Sequence, residues 1–127
     1  MFPNVNCLFV GRRSSCIYCS DKSLSQPKHY NEAGVGEGWK EAAAKLGLER
    51  SDFFLQTKFT SIDGQDPLQI PYDELATLEE QVEQSLAKSL NNLQTEYIDS
   101  LVMHSPMRSY EETLRVWRVF ESFVKGN

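Results

Sequence analysis

Apolar residues recur every three or four positions in three segments of the chain. This spacing places side chains on one face of an α-helix and predicts helices over about residues 31–46, 73–93 and 110–125. The predicted apolar stripes are Val35, Trp39, Ala42, Ala43 and Leu46; Leu75, Leu78, Val82, Leu86, Leu90 and Leu93; and Leu114, Trp117, Phe120 and Val124. Gly47 follows the first segment and is a residue type that commonly ends a helix. Because both tryptophans lie in these stripes, we expect both in the core.

Two short apolar runs lie between these helices and predict β-strands at residues 53–58 and 97–104. The first is nearly continuous, which is typical of a strand buried on both faces in a parallel sheet. Pro106 ends the second, because proline cannot donate to a strand ladder. A loop over residues 59–72 is long enough to be functional or mobile. The order helix, strand, helix, strand, helix predicts an α/β fold in which the two strands are parallel and adjacent.

Residues 1–25 show no such periodicity and form a predicted irregular leader with a short strand at residues 7–10. All three cysteines lie here, and Cys16 and Cys19 form a C-x-x-C motif. A zinc site built from this motif with Cys7 and His29 lacks the two close ligand pairs of a usual structural site. A thioredoxin-like motif would begin a helix after a strand, which this segment does not predict. We therefore predict no metal site.

Composition narrows the class of protein. With 127 residues, 40% of them hydrophobic, the chain suits one domain but is too short for a complete (β/α)8 barrel of about 250 residues. Its net charge of −5 argues against a nucleic-acid partner, because phosphate contacts need a basic surface. No apolar run approaches the roughly 20 residues of a membrane span, and the N-terminus lacks the basic start of a secretory signal. The low, odd cysteine count favours a reducing compartment, the cytoplasm.

Three polar residues fall where function gathers in parallel α/β folds, at the carboxyl ends of the strands. Lys58 ends the first predicted strand, His104 ends the second, and Tyr30 precedes the first helix on the same side. A nearby lysine favours the tyrosinate and lowers the pKa of a tyrosine, which makes it a better proton donor. The histidine could hold a substrate carbonyl by a hydrogen bond. Spacing alone leaves a second interpretation open, in which Lys58 and His104 are ordinary polar residues beside a solvated loop.

Three segments taken together resemble the aldo-keto reductases, and in particular the fungal members of that family. They are residues 28–36 with the sequence KHYNEAGVG, residues 55–58 with LQTK, and residues 97–106, which run from YID to HSP. The segments occur in the family's order over about residues 26–127. Each motif is short, but the three in series are specific.

The resemblance implies part of a TIM barrel that reduces an aldehyde or a ketone to an alcohol with NADP(H). It implies that Tyr30 is the general acid, that Lys58 lowers the pKa of Tyr30, and that His104 orients the substrate carbonyl. Hydride would come from the nicotinamide, with no metal ion involved.

The chain departs from the family pattern near its beginning. The fourth catalytic residue of the family is an aspartate that opens an Asp-Thr-Ala run before the tyrosine. Here a Lys-Ser-Leu run stands at that place, and Asp21 is one residue out of register. We therefore divide the chain into residues 1–25, a leader that does not match the family, and residues 26–127, a partial reductase domain.

The family would continue past Asn127, and its residues for the nicotinamide and the 2′-phosphate belong to that later half. We expect residues 1–127 alone neither to bind NADP(H) measurably nor to turn over a small carbonyl substrate. The alternative interpretation is a non-catalytic half-barrel that at most binds another polypeptide. In both cases the open edges of a two-stranded sheet favour self-association.

Overall fold

The computed structural model of the chain describes residues 9–10 and 31–125, where helices alternate with strands. The elements are β1 (Phe9–Val10), α1 (Glu32–Leu46), β2 (Phe53–Phe54), β3 (Gln56–Phe59), α2 (Leu78–Leu93), β4 (Ser100–Met103) and α3 (Tyr110–Lys125). The predicted α/β class is confirmed, and a barrel stays a prediction. None of the helices in the described part of the chain is long and apolar enough to cross a membrane.

Strands β3 and β4 are neighbours in one sheet and run parallel. The N–H of Asp99 donates to the carbonyl oxygen of Leu55 at 2.9 Å, and the N–H of His104 donates to that of Phe59 at 2.9 Å. From the first of these bonds to the second, the donor residue number rises from 99 to 104 and the acceptor residue number rises from 55 to 59. The two strands therefore run in the same direction, as in a parallel pair. The predicted parallel and adjacent arrangement is therefore confirmed.

A second, smaller pairing joins β1 to β2. The two strands are antiparallel, with Phe9 opposite Phe54 and Val10 opposite Phe53. The strand predicted at residues 7–10 is thus present at its last two positions, and residues 7 and 8 lie outside the described residues.

The chain divides into two compact units, each with its own core. One comprises Met1–Thr57 and Leu90–Ser100, and the other comprises Lys58–Ser89 and Leu101–Asn127. The buried core residues of the first unit are Trp39, Phe53 and Leu55. Those of the second unit are Phe59, Tyr72, Val82, Val116, Val119 and Phe120.

Helix α1 keeps the predicted bounds because both of its ends are capped. The side chain of Asn31 accepts a hydrogen bond from the N–H of Gly34 at 2.9 Å, which satisfies a donor that the first turn leaves unpaired. Gly47 adopts a left-handed conformation with φ of 64° and ends the helix. Trp39 is buried, as predicted, and its indole N–H donates to the carbonyl oxygen of Leu93 at 2.7 Å.

The second helix begins five residues later than predicted, at Leu78. Thr77 and Glu80 form its cap: the N–H and the hydroxyl of Thr77 donate to the Glu80 carboxylate at 2.9 and 2.8 Å, and the N–H of Glu80 donates to the Thr77 hydroxyl at 3.3 Å. This reciprocal capping arrangement fixes the position at which the helix begins. Leu75, predicted to lie on the apolar stripe, is therefore 95% exposed.

The buried face of α3 also differs from the predicted stripe. Trp117 was expected in the core, but it is 53% exposed, and Val124 is exposed as well. Val116, Val119 and Phe120 are the residues that pack in the core of the second unit. Phe120 is buried as predicted, but Val116 takes the place in the core that the predicted stripe gives to Trp117.

The first predicted strand is buried on one face and not on both. Residues Phe53, Leu55, Thr57 and Phe59 are buried, whereas Phe54 and Gln56 are exposed. Successive side chains of a strand point to opposite faces, so the exposed positions lie on the opposite face from the buried ones. Leu55 also separates the predicted strand into β2 and β3.

Candidate functional site

Lys58 and His104 lie at the carboxyl ends of the two parallel strands. Lys58 is the third of the four residues of β3, one position earlier than predicted, and His104 directly follows β4. The backbone N–H of His104 donates to the carbonyl oxygen of Phe59, the residue after Lys58, at 2.9 Å. Both side chains are half-buried. The sequence-predicted pair is therefore brought to one edge of the sheet, within the second unit.

The electrostatic surroundings of His104 favour a neutral ring. Burial of the imidazole lowers the pKa of His104 below its usual 6.5, and the positive charge of Lys58 lowers it further. A neutral imidazole has one nitrogen that donates and one that accepts a hydrogen bond. At neutral pH the ring can therefore donate a hydrogen bond to a carbonyl oxygen without carrying a charge.

The loops that follow the two strands are joined by an ion pair. Asp63 lies in a short 3-10 turn after β3, and Arg108 lies in the loop after β4. The Nε of Arg108 donates to Oδ2 of Asp63 at 2.6 Å, and its Nη2 donates to Oδ1. This two-pronged contact holds the loops beside the edge where Lys58 and His104 lie. The sequence carries no pattern that marks the pair, because its members are 45 residues apart.

Tyr72 is a tyrosine near this edge, but its surroundings do not suit a proton donor. Its hydroxyl donates to the carbonyl oxygen of Thr60 at 2.9 Å, and the same carbonyl accepts a hydrogen bond from Gln65 at 3.0 Å. Burial raises the pKa of Tyr72 above 10, whereas a proton donor benefits from a lower value. Tyr72 therefore stabilises the loop that follows β3 through its hydrogen bond to Thr60.

An open surface pocket lies along the loop that leads to α2. It has a volume of about 590 Å³ and is lined by Pro67, Leu68, Ile70, Tyr72, Asp73, Glu74 and Leu75. Neither Lys58 nor His104 lines this pocket. Its position in the second unit makes it a feature of the loop and not of the strand ends.

The first unit contains a cluster of polar residues that sequence reasoning missed. Thr57 Oγ1 donates a hydrogen bond to Glu32 Oε1, and the Asn92 amide donates to Glu32 Oε2 at 3.2 Å. Glu32 lies in the first turn of α1, two residues after Tyr30, and Thr57 directly precedes Lys58. The contacts join residues that are 25 and 60 positions apart, so no short motif could have revealed them.

Arg50 fixes the register at which the two parallel strands begin. Its Nη2 donates to Asp99 Oδ2 at 2.9 Å and to the carbonyl oxygen of Tyr97 at 2.8 Å, and its Nη1 donates to that of Phe53 at 2.8 Å. The same Asp99 oxygen accepts the N–H of Leu55 at 2.8 Å. A one-residue slip would break these bonds, and it would move every side chain to the opposite face.

Several predicted residues lie outside the part of the chain that the structure describes. They are the proposed proton donor Tyr30, the out-of-register Asp21, and the weighed zinc ligands Cys7, Cys16, Cys19 and His29. Among the described residues, no group of three or more His, Cys, Asp or Glu side chains is placed to hold a metal ion.

The described residues include four arginines, the residue type best suited to bind phosphate groups. Three of them form ion pairs, Arg50 with Asp99, Arg108 with Asp63, and Arg115 with Glu79, and the fourth, Arg118, is exposed on α3. We therefore assign no cofactor-binding residue among them.

Comparison with known proteins agrees with the motifs. A family model described as Aldo/keto reductase family matches residues 16–126. The chain is 34% identical over 97 residues to an uncharacterized oxidoreductase, YtbE, of Bacillus subtilis (strain 168), which covers 75% of this chain and 29% of that protein. It is 27% identical over 113 residues to a morphine 6-dehydrogenase of Pseudomonas putida, which covers 87% of this chain and 32% of that protein. The chain thus spans less than a third of either relative. No solved structure gave a significant match.

Proposed function

Because the chain belongs to the aldo/keto reductase family, we propose that it supplies the proton-donating part of an oxidoreductase that converts an aldehyde or a ketone to an alcohol with NADP(H). Tyr30 donates the proton, Lys58 lowers the pKa of the Tyr30 hydroxyl, and His104 donates a hydrogen bond to the carbonyl oxygen. The family match over residues 16–126 and the two oxidoreductase relatives support this proposal over the alternative of a non-catalytic half-barrel.

One structural observation carries the proposal. Lys58 and His104 lie at the carboxyl ends of adjacent parallel strands, and the His104 backbone N–H donates to the carbonyl oxygen of Phe59. Their positions match the lysine and the histidine of the family's motifs, which the sequence places after LQT and before SP. The positive charge of Lys58 lowers the pKa of His104, so the lysine acts electrostatically on the imidazole ring.

The chain's own residues would act on the carbonyl oxygen. A neutral His104 ring donates a hydrogen bond to that oxygen and stabilises the negative charge that develops there. Tyr30 then gives its hydroxyl proton to the same oxygen, and the positive charge of Lys58 stabilises the tyrosinate that remains. NADP(H), when bound, supplies the hydride that the carbonyl carbon receives, so the substrate gains one hydride and one proton.

Other parts of the proposal rest on the sequence. The fungal subtype stays a prediction, because both relatives named above are bacterial proteins. The division into a leader over residues 1–25 and a reductase segment over residues 26–127 also stays a prediction. The same holds for self-association through sheet edges and for the cytoplasm as the location.

Substitution of Lys58 tests the proposal. The full-length protein that contains residues 1–127 is assayed for NADPH-dependent reduction of a small aldehyde, followed by NADPH fluorescence. Lys58→Met should lower kcat by about a hundredfold or more, because a tyrosine without the neighbouring charge is a weaker acid. Lys88→Met, at an exposed position of α2, is the matched control and should retain wild-type activity. Full activity in Lys58→Met would contradict the assignment.

A further inference from the structure

Two exposed leucines line the surface pocket that precedes α2. Leu68 is 90% exposed and Leu75 is 95% exposed. Ile70 and Tyr72 also line the pocket, and both belong to the hydrophobic core of the second unit or pack against it. The base of the pocket is therefore continuous with the core, while the two leucines present apolar surface to solvent.

The same kind of turn presents both leucines. The backbone N–H of Leu68 donates to Asp66 Oδ1 at 3.0 Å, and that of Leu75 donates to Asp73 Oδ1 at 2.9 Å. In each case an aspartate two residues earlier fixes the turn with its side chain. The exposure of the leucines is therefore built into the ordered local structure of this segment.

Further hydrogen bonds hold the pocket residues against α2. The N–H of Asp73 donates to Gln84 Oε1 at 2.7 Å. The side-chain amide of Gln81 donates to the carbonyl oxygens of Glu74 and Ala76 at 3.3 and 3.0 Å. A surface that is already ordered loses little conformational entropy when a partner binds. The pocket is thus prepared for binding by contacts within the second unit.

The pocket lies in a strongly acidic part of the chain. Residues 59–87 include seven acidic residues and no basic one: Asp63, Asp66, Asp73, Glu74, Glu79, Glu80 and Glu83. Arg108 and Arg115 pair with two of these carboxylates, but neither arginine lines the pocket. The charged residues that do line it are Asp73 and Glu74, which are exposed. Such a surface attracts a positively charged partner and repels a negatively charged one.

We propose that this pocket is a docking surface for a basic, apolar segment of another protein. An apolar side chain of that segment packs against Leu68 and Leu75, and neighbouring lysine or arginine side chains pair with Asp73 and Glu74. The leucines supply the apolar contact area, and the carboxylates select the partner by its charge. The inference does not depend on the proposed catalytic function, because the residues of that function do not line the pocket.

A peptide titration of the 127-residue chain tests the proposal. The probe is a short synthetic peptide of leucine, lysine and serine in equal numbers. One control peptide carries glutamate in place of every lysine, and the other carries serine in place of every leucine. We expect saturable changes in the amide NMR signals of residues 67–75, with a dissociation constant of about 100 μM or tighter. Each control peptide should bind at least about tenfold more weakly, and added salt should weaken binding of the probe.

Substitutions of exposed leucines test the apolar contact. Leu68→Ala and Leu75→Ala should each weaken binding of the probe about tenfold, because each removes apolar area from the contact. Leu46→Ala, at a 65% exposed leucine of α1, is the matched control and should leave binding unchanged. Since all three side chains are exposed, the amide signals of the core should keep their positions in each variant.

Substitution of Glu74 tests the charge contact. Glu74→Gln should weaken binding of the probe by about two- to fivefold, the usual effect of one exposed ion pair. Glu37→Gln removes an exposed carboxylate from α1 and should leave binding unchanged.

Three results would overturn the proposal. The first is the absence of saturable signal changes at residues 67–75. The second is equal binding of the probe and the leucine-free peptide, which would show attraction by charge alone. The third is a dimer, detected by light scattering, that Leu68→Ala and Leu75→Ala dissociate and that excludes the probe, because a second copy of the chain would then occupy the pocket.

Discussion

The protonation state of His104 is the residue-scale feature on which the proposed carbonyl contact depends. Burial and the positive charge of Lys58 both lower its pKa below 6.5. Lys58→Met removes the second cause, so we expect the pKa of His104 to move upward toward 6.5. Proton NMR titration of the two histidines, assigned by His104→Gln, measures the change. Lys88→Met should leave the midpoint unchanged, and an unshifted midpoint in Lys58→Met would contradict the influence of Lys58 on the ring.

The same lowered pKa makes folding stability depend on pH. The unfolded chain protonates His104 near pH 6.5, whereas the folded chain does so only at a lower pH. The contribution of His104 is therefore fully present above pH 6.5 and is lost as the pH falls through 6.5 toward the folded pKa. Urea unfolding at about pH 7.5 and about pH 5.5 tests this sign. The wild type should lose more stability on acidification than His104→Gln, and an equal loss would count against a lowered pKa.

At the scale of the elements, two glycines of α1 differ in the space around them: Gly36 is packed closely, and Gly38 is not. A Cβ built on Gly36 would lie 2.3 Å from the carbonyl oxygen of Asn92, whereas a Cβ on Gly38 would meet nothing within 4 Å. Gly36→Ala should therefore lower the free energy of unfolding by about 1–3 kcal/mol. Gly38→Ala should raise it by up to about 1 kcal/mol, because alanine is the better helix former. Urea denaturation measures the free energy of unfolding of both variants. An increase in both would contradict the close approach of Gly36 to the carbonyl oxygen of Asn92.

The beginning of α2 depends on the Thr77 cap. Thr77→Ala removes the hydroxyl that exchanges hydrogen bonds with Glu80, and we expect it to lower the free energy of unfolding by about 1 kcal/mol. Thr77→Ser keeps the hydroxyl and should remain close to the wild type. Thermal unfolding monitored by circular dichroism measures both. Equal stability of the alanine and serine variants would show that the cap contributes nothing.

Element bounds were predictable where capping and periodicity agreed. In α1 the apolar spacing and Gly47 give the same end, and the structure confirms it. In α2 they disagree, because Leu75 continues the spacing of the stripe while Thr77 and Glu80, three positions apart, form a capping pair. The cap decides, since unpaired backbone groups at a helix end need partners. The face of α3 was shifted because Val116 and Trp117 are both apolar, and spacing alone does not choose between them.

At the scale of the whole molecule, the order of elements predicted that Lys58 and His104 lie at one edge of the sheet, but it did not predict the contacts around them. Parallel strands place their carboxyl ends on one edge, so Lys58 and His104 could be paired from the sequence. The bond between Glu32 and Thr57 and the ion pair between Asp63 and Arg108 could not. They join residues 25 and 45 positions apart, and folding alone brings such partners together.

The most direct test of the central claim is to remove only the phenolic proton donor. In the full-length protein that contains residues 1–127, Tyr30→Phe should lower the rate of carbonyl reduction by about a hundredfold to ten-thousandfold, the usual contribution of a general acid. NADPH binding, measured by fluorescence titration of the same variant, should stay near the wild-type value, because the substitution removes one hydroxyl group. Tyr110→Phe, at an exposed tyrosine, should change neither quantity. Wild-type turnover in Tyr30→Phe would contradict the account.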